Sequence, residues 1–188
     1  MKKILILLIT VALVLPAEAQ NKRYHGDGID DYLRFVPLAA AVTLKASGVQ
    51  SASSWKRFGV NAAASLILSA GTSYVLKHSV HDTRPDGTDD HAFPSGHTTI
   101  AFAGATILHK EYWHTSPWIS IAGYSVATLT AVDRVRRNRH HWGDVAVGAA
   151  IGILGTEAGY WLGDLITGEK SRYSVGVSPE GVSVAINL

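Results

Sequence analysis

The sequence predicts an all-α protein, a membrane-embedded bundle of about five helices followed by a short β-hairpin-like tail. Three observations lead to this fold class. Hydrophobic residues make up 47% of the 188 residues and charged residues only 17%, below the share of about 25% usual in soluble domains. The apolar residues form long runs without the alternation typical of strands. These runs are rich in Ala, Gly, Ser and Thr, which let helices approach closely in a bilayer.

The composition also excludes several classes of function. The chain contains no cysteine, which excludes disulfide frameworks, thiolate metal sites and cysteine nucleophiles. Its formal net charge of +2 is too small to indicate a nucleic-acid-binding protein, and we predict no obligate protein partner. A soluble, exported all-α protein has a similar helical composition and stays open as the alternative to a membrane bundle.

The first residues have the three parts of a signal peptide. Lys2 and Lys3 are followed by an apolar core over 4–15 and by a small-x-small cleavage site at 17–19. A core of this length is short for a membrane span, which needs roughly twenty residues. We therefore expect residues 1–19 to be a signal peptide. The alternative is a retained N-terminal anchor helix, which would make six helices, and either way the following chain is exported.

Five apolar runs predict the helices of one domain, residues 20–168. The first run contains Lys45 and is the weakest, and Glu157 is the only formal charge in the others; the runs are 35–49, 58–76, 92–108, 115–132 and 145–163. Counted from an external start, the helices place three polar clusters on the external side. Ionisable groups at helix ends on one face are typical of a site at a membrane surface. Beyond the helices, alternating residues around a Pro-Glu-Gly turn predict a hairpin in the tail, 169–188.

The first two polar clusters each have a functional and a plain interpretation. Lys77 ends one predicted helix and Arg84 follows seven residues later, so the two cations could form an anion site. A lysine at a helix end also simply complements the helix dipole. Ser95, Gly96 and His97 open the next helix, where free N–H groups could bind phosphate and the histidine could transfer a proton. A serine cap with an incidental histidine is the alternative.

The third cluster pairs a histidine with an acid. His140 and Asp144 are four residues apart and therefore share one helical face. A carboxylate that holds one imidazole nitrogen leaves the other nitrogen to act as nucleophile or base. A simple ion pair or helix cap is the alternative for these two residues. A metal site would have to use His78, His81, His91 and His97. Their spacing is loose and lacks the glutamate of helical metalloproteases, so we predict no metal.

Together the clusters resemble the three-part signature of the type 2 phosphatidic acid phosphatase and vanadium haloperoxidase superfamily. The matching segments are Lys77-x6-Arg84-Pro85, Pro94-Ser95-Gly96-His97 and Arg134-x5-His140-x3-Asp144. Order and internal spacing agree, and the resemblance covers residues 58–163. One departure is Asp133, because the family usually has serine before the arginine of the third motif. An acid there could weaken the hold of Arg134 on phosphate or merely orient it.

The resemblance implies a phosphatase that needs no metal and no cofactor. His140 would attack phosphorus and form a phosphohistidine, Asp144 would orient it, and His97 would protonate the leaving oxygen. The phosphate would be bound by Lys77, Arg84, Ser95, Gly96 and Arg134. Elementary chemistry agrees with these roles, because phosphoryl transfer chiefly requires the protein to position the reacting groups and to hold positive charge in place.

The expected substrate is a lipid phosphate or pyrophosphate, because the site would lie at a membrane surface. Candidates are a polyprenyl pyrophosphate, phosphatidylglycerophosphate, phosphatidate and the phosphate of a lipid A-like glycolipid. We expect the chain in the cell (inner) membrane with its active site facing the periplasm or exterior. The alternatives are a soluble exported acid phosphatase, a vanadate-dependent haloperoxidase and a non-catalytic lipid-binding protein.

Overall fold

The computed structural model describes residues 28–171, 173–178 and 181–186. Six helices lie in this part of the chain: α1 (Asp30–Leu33), α2 (Val36–Ala46), α3 (Trp55–Ser79), α4 (Gly96–Tyr112), α5 (Pro117–Arg136) and α6 (Trp142–Thr167). Two antiparallel strands follow, β1 (Tyr173–Ser178) and β2 (Gly181–Ile186). The helical core confirms the predicted all-α class. The predicted signal peptide lies outside the described residues.

Local sequence explains where the long helices begin and end. Ser54 and Ser95 precede α3 and α4, and each side chain accepts a backbone N–H of the first helical turn. Pro117 lies in the first turn of α5, where a missing N–H costs no helical hydrogen bond. Gly168 ends α6 with a left-handed φ of 68°, a conformation that glycine adopts without strain.

Small residues let α6 pack closely against α3 and α4. Residues spaced by four on α3 face glycines spaced by four on α6, and the facing sets are Asn61, Ser65 and Ser69 against Gly163, Gly159 and Gly155. A Cβ atom at Gly159 would lie 2.4 Å from backbone atoms of Ser65, and one at Gly152 would lie 2.5 Å from the carbonyl oxygen of Thr99 on α4. Only glycine permits such an approach. The close contact gathers the end of α3 and the starts of α4 and α6 at one end of the bundle.

The bundle buries small residues beside a few large ones such as Ile107 and Tyr112, and many other large apolar side chains are exposed. Ala101, Ala103 and Ala105 are fully buried. All five tryptophans of the chain are exposed: Trp55, Trp113, Trp118, Trp142 and Trp161. Within the described residues, α3 and α6 are long and apolar enough to cross a membrane, and only 28% and 33% of their apolar windows are buried. The length, composition and exposure of these two helices are consistent with membrane association.

Candidate active site

A tight turn between α5 and α6 places His140 inside the bundle end. Asn138 adopts a left-handed φ of 55°. The N–H of the next residue donates to the carbonyl oxygen of Arg134 at 3.0 Å, so the chain reverses directly after α5. Asp144 lies in the first turn of α6, and its Oδ2 accepts the N–H of the residue before the helix at 2.8 Å. This carboxylate therefore both caps α6 and faces the turn.

The His140 imidazole is buried between an acid and a cation. Its Nδ1 lies 3.5 Å from Asp144 Oδ2 and its Nε2 lies 3.4 Å from Arg134 Nη2, with 2% of the side chain exposed. Burial, together with the charges of Arg134, Arg84 and Lys77, holds the pKa of His140 well below its usual range. The imidazole is therefore neutral near pH 7. A proton on Nδ1, towards Asp144, leaves the lone pair on Nε2 that a nucleophile needs.

Cations from three elements meet around this histidine. Lys77, near the end of α3, donates from Nζ to a backbone carbonyl of the following loop at 2.7 Å. Arg84 lies in that loop and donates from Nε to Asp89 Oδ1 at 2.6 Å. Both cations act on His140 together with Arg134. The structure thus brings the cations of the first and third motifs to one place.

The second motif is tied directly to the third. The Ser95 N–H donates to the carbonyl oxygen of Asp144 at 3.1 Å, which joins the start of α4 to the first turn of α6. The buried Ser95 hydroxyl serves the helix cap and accepts from the Thr98 hydroxyl at 3.0 Å. At Gly96 an added Cβ would approach only Ser73 Oγ, at 3.9 Å. The first turn of α4 therefore has open space beside its backbone, as an anion at a helix N-terminus requires.

His97 contacts residues that the sequence analysis did not single out. Its Nε2 lies 2.6 Å from Asp31 Oδ1 and 3.1 Å from Arg34 Nη1. Burial and then the charge of Arg134 outweigh the hydrogen bond with Asp31 and lower the pKa of His97 to about 4. Without a bound anion this imidazole is therefore neutral near pH 7. Each histidine of the site therefore has a carboxylate beside it.

Asp30 is a second carboxylate that α1 brings to the site. Its side chain is fully buried, Oδ2 accepts from Arg134 Nη1 at 2.6 Å, and Oδ1 accepts from Arg137 Nη1. Burial raises the pKa of Asp30, but the hydrogen bond and charge of Arg134, aided by His97 and Arg137, outweigh it and the pKa falls below its usual value. Asp133, the departure from the family pattern, lies 3.9 Å from Arg137. Arg134 is thus held from the side of α1 by Asp30.

Taken together, the site holds a buried imidazole, a second imidazole with its own acid, and several cations near the first of them. Arg134 acts electrostatically on both histidines. Such an arrangement can bind an oxyanion and supply a nucleophile and a proton donor to it.

Comparison with known proteins gives a consistent result. A family model described as the PAP2 superfamily matches residues 58–165. A lipid A 1-phosphatase of Porphyromonas gingivalis is 44% identical over 158 residues, which cover 81% of this chain and 36% of that protein. A probable lipid phosphate phosphatase 4 of Arabidopsis thaliana is 34% identical over 97 residues, which cover 44% of this chain and 30% of that protein. The chain therefore spans about a third of the length of these two relatives.

A solved structure shares the fold. The crystal structure of LpxE from Aquifex aeolicus superposes with a TM-score of 0.55 at 21% sequence identity. The superposition covers 82% of this chain and 93% of that one. The helical arrangement described above therefore occurs in a second protein whose sequence is only distantly similar.

Proposed function

The chain belongs to the PAP2 superfamily, and on that premise we propose that it hydrolyses the phosphate monoester or pyrophosphate of a membrane lipid through a phosphohistidine. The observation that carries the proposal is the position of His140, which is buried between Asp144 and Arg134. The names of the two relatives, both lipid phosphatases, support the same class of reaction.

In the first step His140 Nε2 attacks phosphorus. An N–P bond forms while the P–O bond to the lipid breaks, and His97 gives a proton to the departing oxygen. The leaving group is the lipid alcohol when the substrate is a phosphate monoester. It is the lipid monophosphate when the substrate is a pyrophosphate. The Asp144 carboxylate, beside Nδ1, stabilises the positive charge that the His140 ring acquires.

In the second step a water molecule attacks the phosphorus of the phosphohistidine. His97, now neutral, takes a proton from the water as the new O–P bond forms and the N–P bond breaks. Inorganic phosphate leaves and His140 returns to its neutral state. The same histidine thus serves as acid in one step and as base in the next.

The cations of the site would bind the non-bridging phosphate oxygens. Lys77, Arg84 and Arg134 come from three elements and supply positive charge that magnesium supplies in many phosphoryl-transfer enzymes. The start of α4 would add the Ser95 hydroxyl and the Gly96 N–H, since the Ser95 N–H already donates to the Asp144 carbonyl oxygen. We therefore propose a metal-independent and cofactor-independent reaction.

Exposed aromatic residues on α3 and α6 support a position across the bilayer. Trp142 and Trp161 on α6 are 64% and 67% exposed and 19 residues apart, and Trp55 and Tyr74 on α3 are 58% and 64% exposed and also 19 apart. At 1.5 Å per residue this separation is about 28 Å, close to the hydrocarbon thickness of about 30 Å. Tryptophan and tyrosine favour the membrane–water interface. Because α3 and α6 are antiparallel, we place Tyr74 and Trp142 towards one side of the bilayer and Trp55 and Trp161 towards the other. The register of the two helices offsets the members of each pair by eight residues, about 12 Å along the helices.

This placement puts the chemistry at the level of lipid headgroups. Lys77 follows Tyr74 by three residues and His140 precedes Trp142 by two. A lipid phosphate would reach the site without leaving the membrane, which favours a lipid over a soluble ester. Among lipids, the phosphate of a lipid A-type glycolipid is the first candidate because of the relative from P. gingivalis. Phosphatidate, polyprenyl pyrophosphate and phosphatidylglycerophosphate complete the set to be tested.

We further propose that the site faces the periplasm. The basic start at Lys2 and Lys3, followed by the apolar core over 4–15, supports export of the chain that follows. Counted from an exported start, the short α2 and the four long helices α3–α6 would place the ends of α3 and α5 and the starts of α4 and α6 on the exported side.

Phosphate release by the detergent-solubilised chain in the presence of EDTA tests the proposed reaction. We expect release from at least one of the four lipids, and a loss of at least about 1,000-fold in His140→Ala because the nucleophile is removed. His81→Ala is the matched control, since His81 is an exposed histidine that contacts neither Asp144 nor Arg134, and it should keep full activity. Full activity in His140→Ala would refute the mechanism.

Trapping identifies the intermediate. A substrate labelled in its phosphate should leave label on the wild-type protein that survives alkali and is lost in acid, as expected of an N–P bond. His140→Ala should carry no such label. Label that survives acid would point instead to an ester and would contradict a phosphohistidine.

A further inference from the structure

We propose that Asp31, at the start of the chain's first described helix, is a positioning residue for His97 in the phosphoryl-transfer reaction. The inference rests on the proposed function and adds α1 to the active site. The family match begins at residue 58, so α1 lies outside the segment on which that match depends.

The Asp31 carboxylate is fixed at both oxygens. Its Oδ1 lies 2.6 Å from His97 Nε2, and its Oδ2 accepts the backbone N–H of Gly28 at 3.0 Å. The bond to Gly28 sets the rotation of the carboxylate, so that the other oxygen points at the imidazole. The Arg137 side chain packs directly against Gly28, since an added Cβ there would lie 1.2 Å from Arg137 Nη1.

Asp30 holds α1 against the rest of the site. A helix of four residues is too short to be stable by itself in water. Here the buried Asp30 side chain accepts hydrogen bonds from Arg134 and Arg137 of the α5 end. These charge-assisted bonds fix the helix on α5, and they thereby fix Asp31 relative to His97.

The proposed acid needs this carboxylate because other neighbours oppose a protonated imidazole. The charged groups that face His97 are Asp30, Asp31 and Arg34 from the N-terminal segment and Arg134 from α5. Of the two acids Asp31 is the nearer, at 2.6 Å against 3.9 Å for Asp30. A carboxylate bonded to one imidazole nitrogen fixes the tautomer and stabilises the imidazolium. With Nε2 held by Asp31, the proposed proton transfer would have to use Nδ1.

The test compares kcat, KM and the pH profile of Asp31→Asn with those of the wild-type chain, using the lipid phosphate that the wild type hydrolyses. We expect kcat to fall about 10- to 100-fold, as for other residues that orient a functional histidine. KM should stay nearly unchanged. The alkaline limb should move to lower pH by about one unit, because losing an adjacent carboxylate makes the imidazolium easier to deprotonate.

Two further variants separate positioning from a general loss of structure. Asp31→Glu keeps the carboxylate and should restore part of kcat and of the alkaline limb. Glu157→Gln removes an acid that pairs with Lys110 on the surface and should leave kcat and the profile unchanged. Thermal unfolding reports whether Asp31→Asn is folded. If Asp31→Asn is unfolded, the pH profile of Asp31→Glu tests the inference instead. The longer side chain should shift the alkaline limb only if the carboxylate acts on His97.

Two outcomes would overturn the inference alone. One is a folded Asp31→Asn with wild-type kcat and pH profile. The other is an Asp31→Asn variant that binds the lipid phosphate more tightly than the wild-type chain does. That result would mean that the Asp31 carboxylate competes with phosphate for the cations. A wild-type chain that releases no phosphate from any lipid would overturn the proposed function itself and the inference with it.

Discussion

Arg134 links the surroundings of the two histidines. Its Nη2 lies 3.4 Å from His140 Nε2, and its Nη1 binds Asp30, whose carboxylate lies 3.9 Å from His97. A phosphate bound on this guanidinium would have the proposed nucleophile and the proposed acid as neighbours. The surroundings lower the pKa of both rings, so the proton that the mechanism places on His97 must be stabilised by Asp31 and by the charge of the bound phosphate.

We expect kcat/KM to depend on pH as a bell. Burial and three cations lower the pKa of His140, so this residue should stay neutral, and activity should persist, below the usual histidine pKa of about 6.5. On the alkaline side activity should fall as His97 loses the proton it must donate. Because the pKa of His97 is also lowered, to about 4, the alkaline limb of kcat/KM should lie below the usual histidine range as well. Initial rates between acid and alkaline pH measure both limbs. A profile that is flat over the whole range would contradict the assignment of two histidines.

At the scale of helices, the contact between α3 and α6 controls the geometry of the site. α3 carries Lys77 and α6 carries Asp144, so a change in the separation of these helices moves a cation relative to the proposed nucleophile. The separation is set where Gly159 meets the backbone of Ser65. The spacing of the active site is therefore fixed in part by residues far from it along both helices.

Gly159→Ala should destabilise the protein and reduce its activity. The added Cβ would lie 2.4 Å from Ser65 backbone atoms, so the helices must separate, at a cost of about 1–3 kcal/mol. Gly71→Ala is the matched control, because an added Cβ at Gly71 has nothing within 4 Å and alanine favours the helix by up to about 1 kcal/mol. Thermal unfolding in detergent, with phosphate release, distinguishes the two. Equal effects of both substitutions would contradict this account of the packing.

The long helices and the three motifs could be predicted from the sequence, whereas α1 and its role could not. Apolar runs such as 58–76 mark a helix interior, but α3 extends to Trp55–Ser79 because its ends are polar and hydropathy cannot detect them. The side chains that bind Asp30 and Asp31 are more than sixty residues away in the sequence. The periodic pattern of apolar residues cannot predict such ion pairs. Charge was the sequence signal that could have indicated this contact. Two adjacent acids precede the first apolar run, and residues 134–139 include four arginines.

At the scale of the whole molecule, the absence of cysteine allows the orientation of the chain to be measured directly. Asp90→Cys places a thiol in the exposed loop at the active-site end, and Lys170→Cys places one beyond the opposite end of α6. In spheroplasts we expect a membrane-impermeant maleimide to label Asp90→Cys and to spare Lys170→Cys. Both variants should react after permeabilisation. Labelling of Lys170→Cys alone would invert the proposed orientation.

The equal spacing of the aromatic residues on α3 and α6 has a consequence for how the membrane itself acts on the protein. A bilayer thinner than this spacing would tilt both helices by the same amount, because hydrophobic mismatch is relieved by tilt and neither helix reaches its limit first. The close glycine contacts keep the pair rigid, so the internal distances of the site hold while its height above the lipids changes. The thickness of the membrane would then set the distance between a lipid phosphate and His140. Turnover would depend on lipid composition without any change in the chemistry.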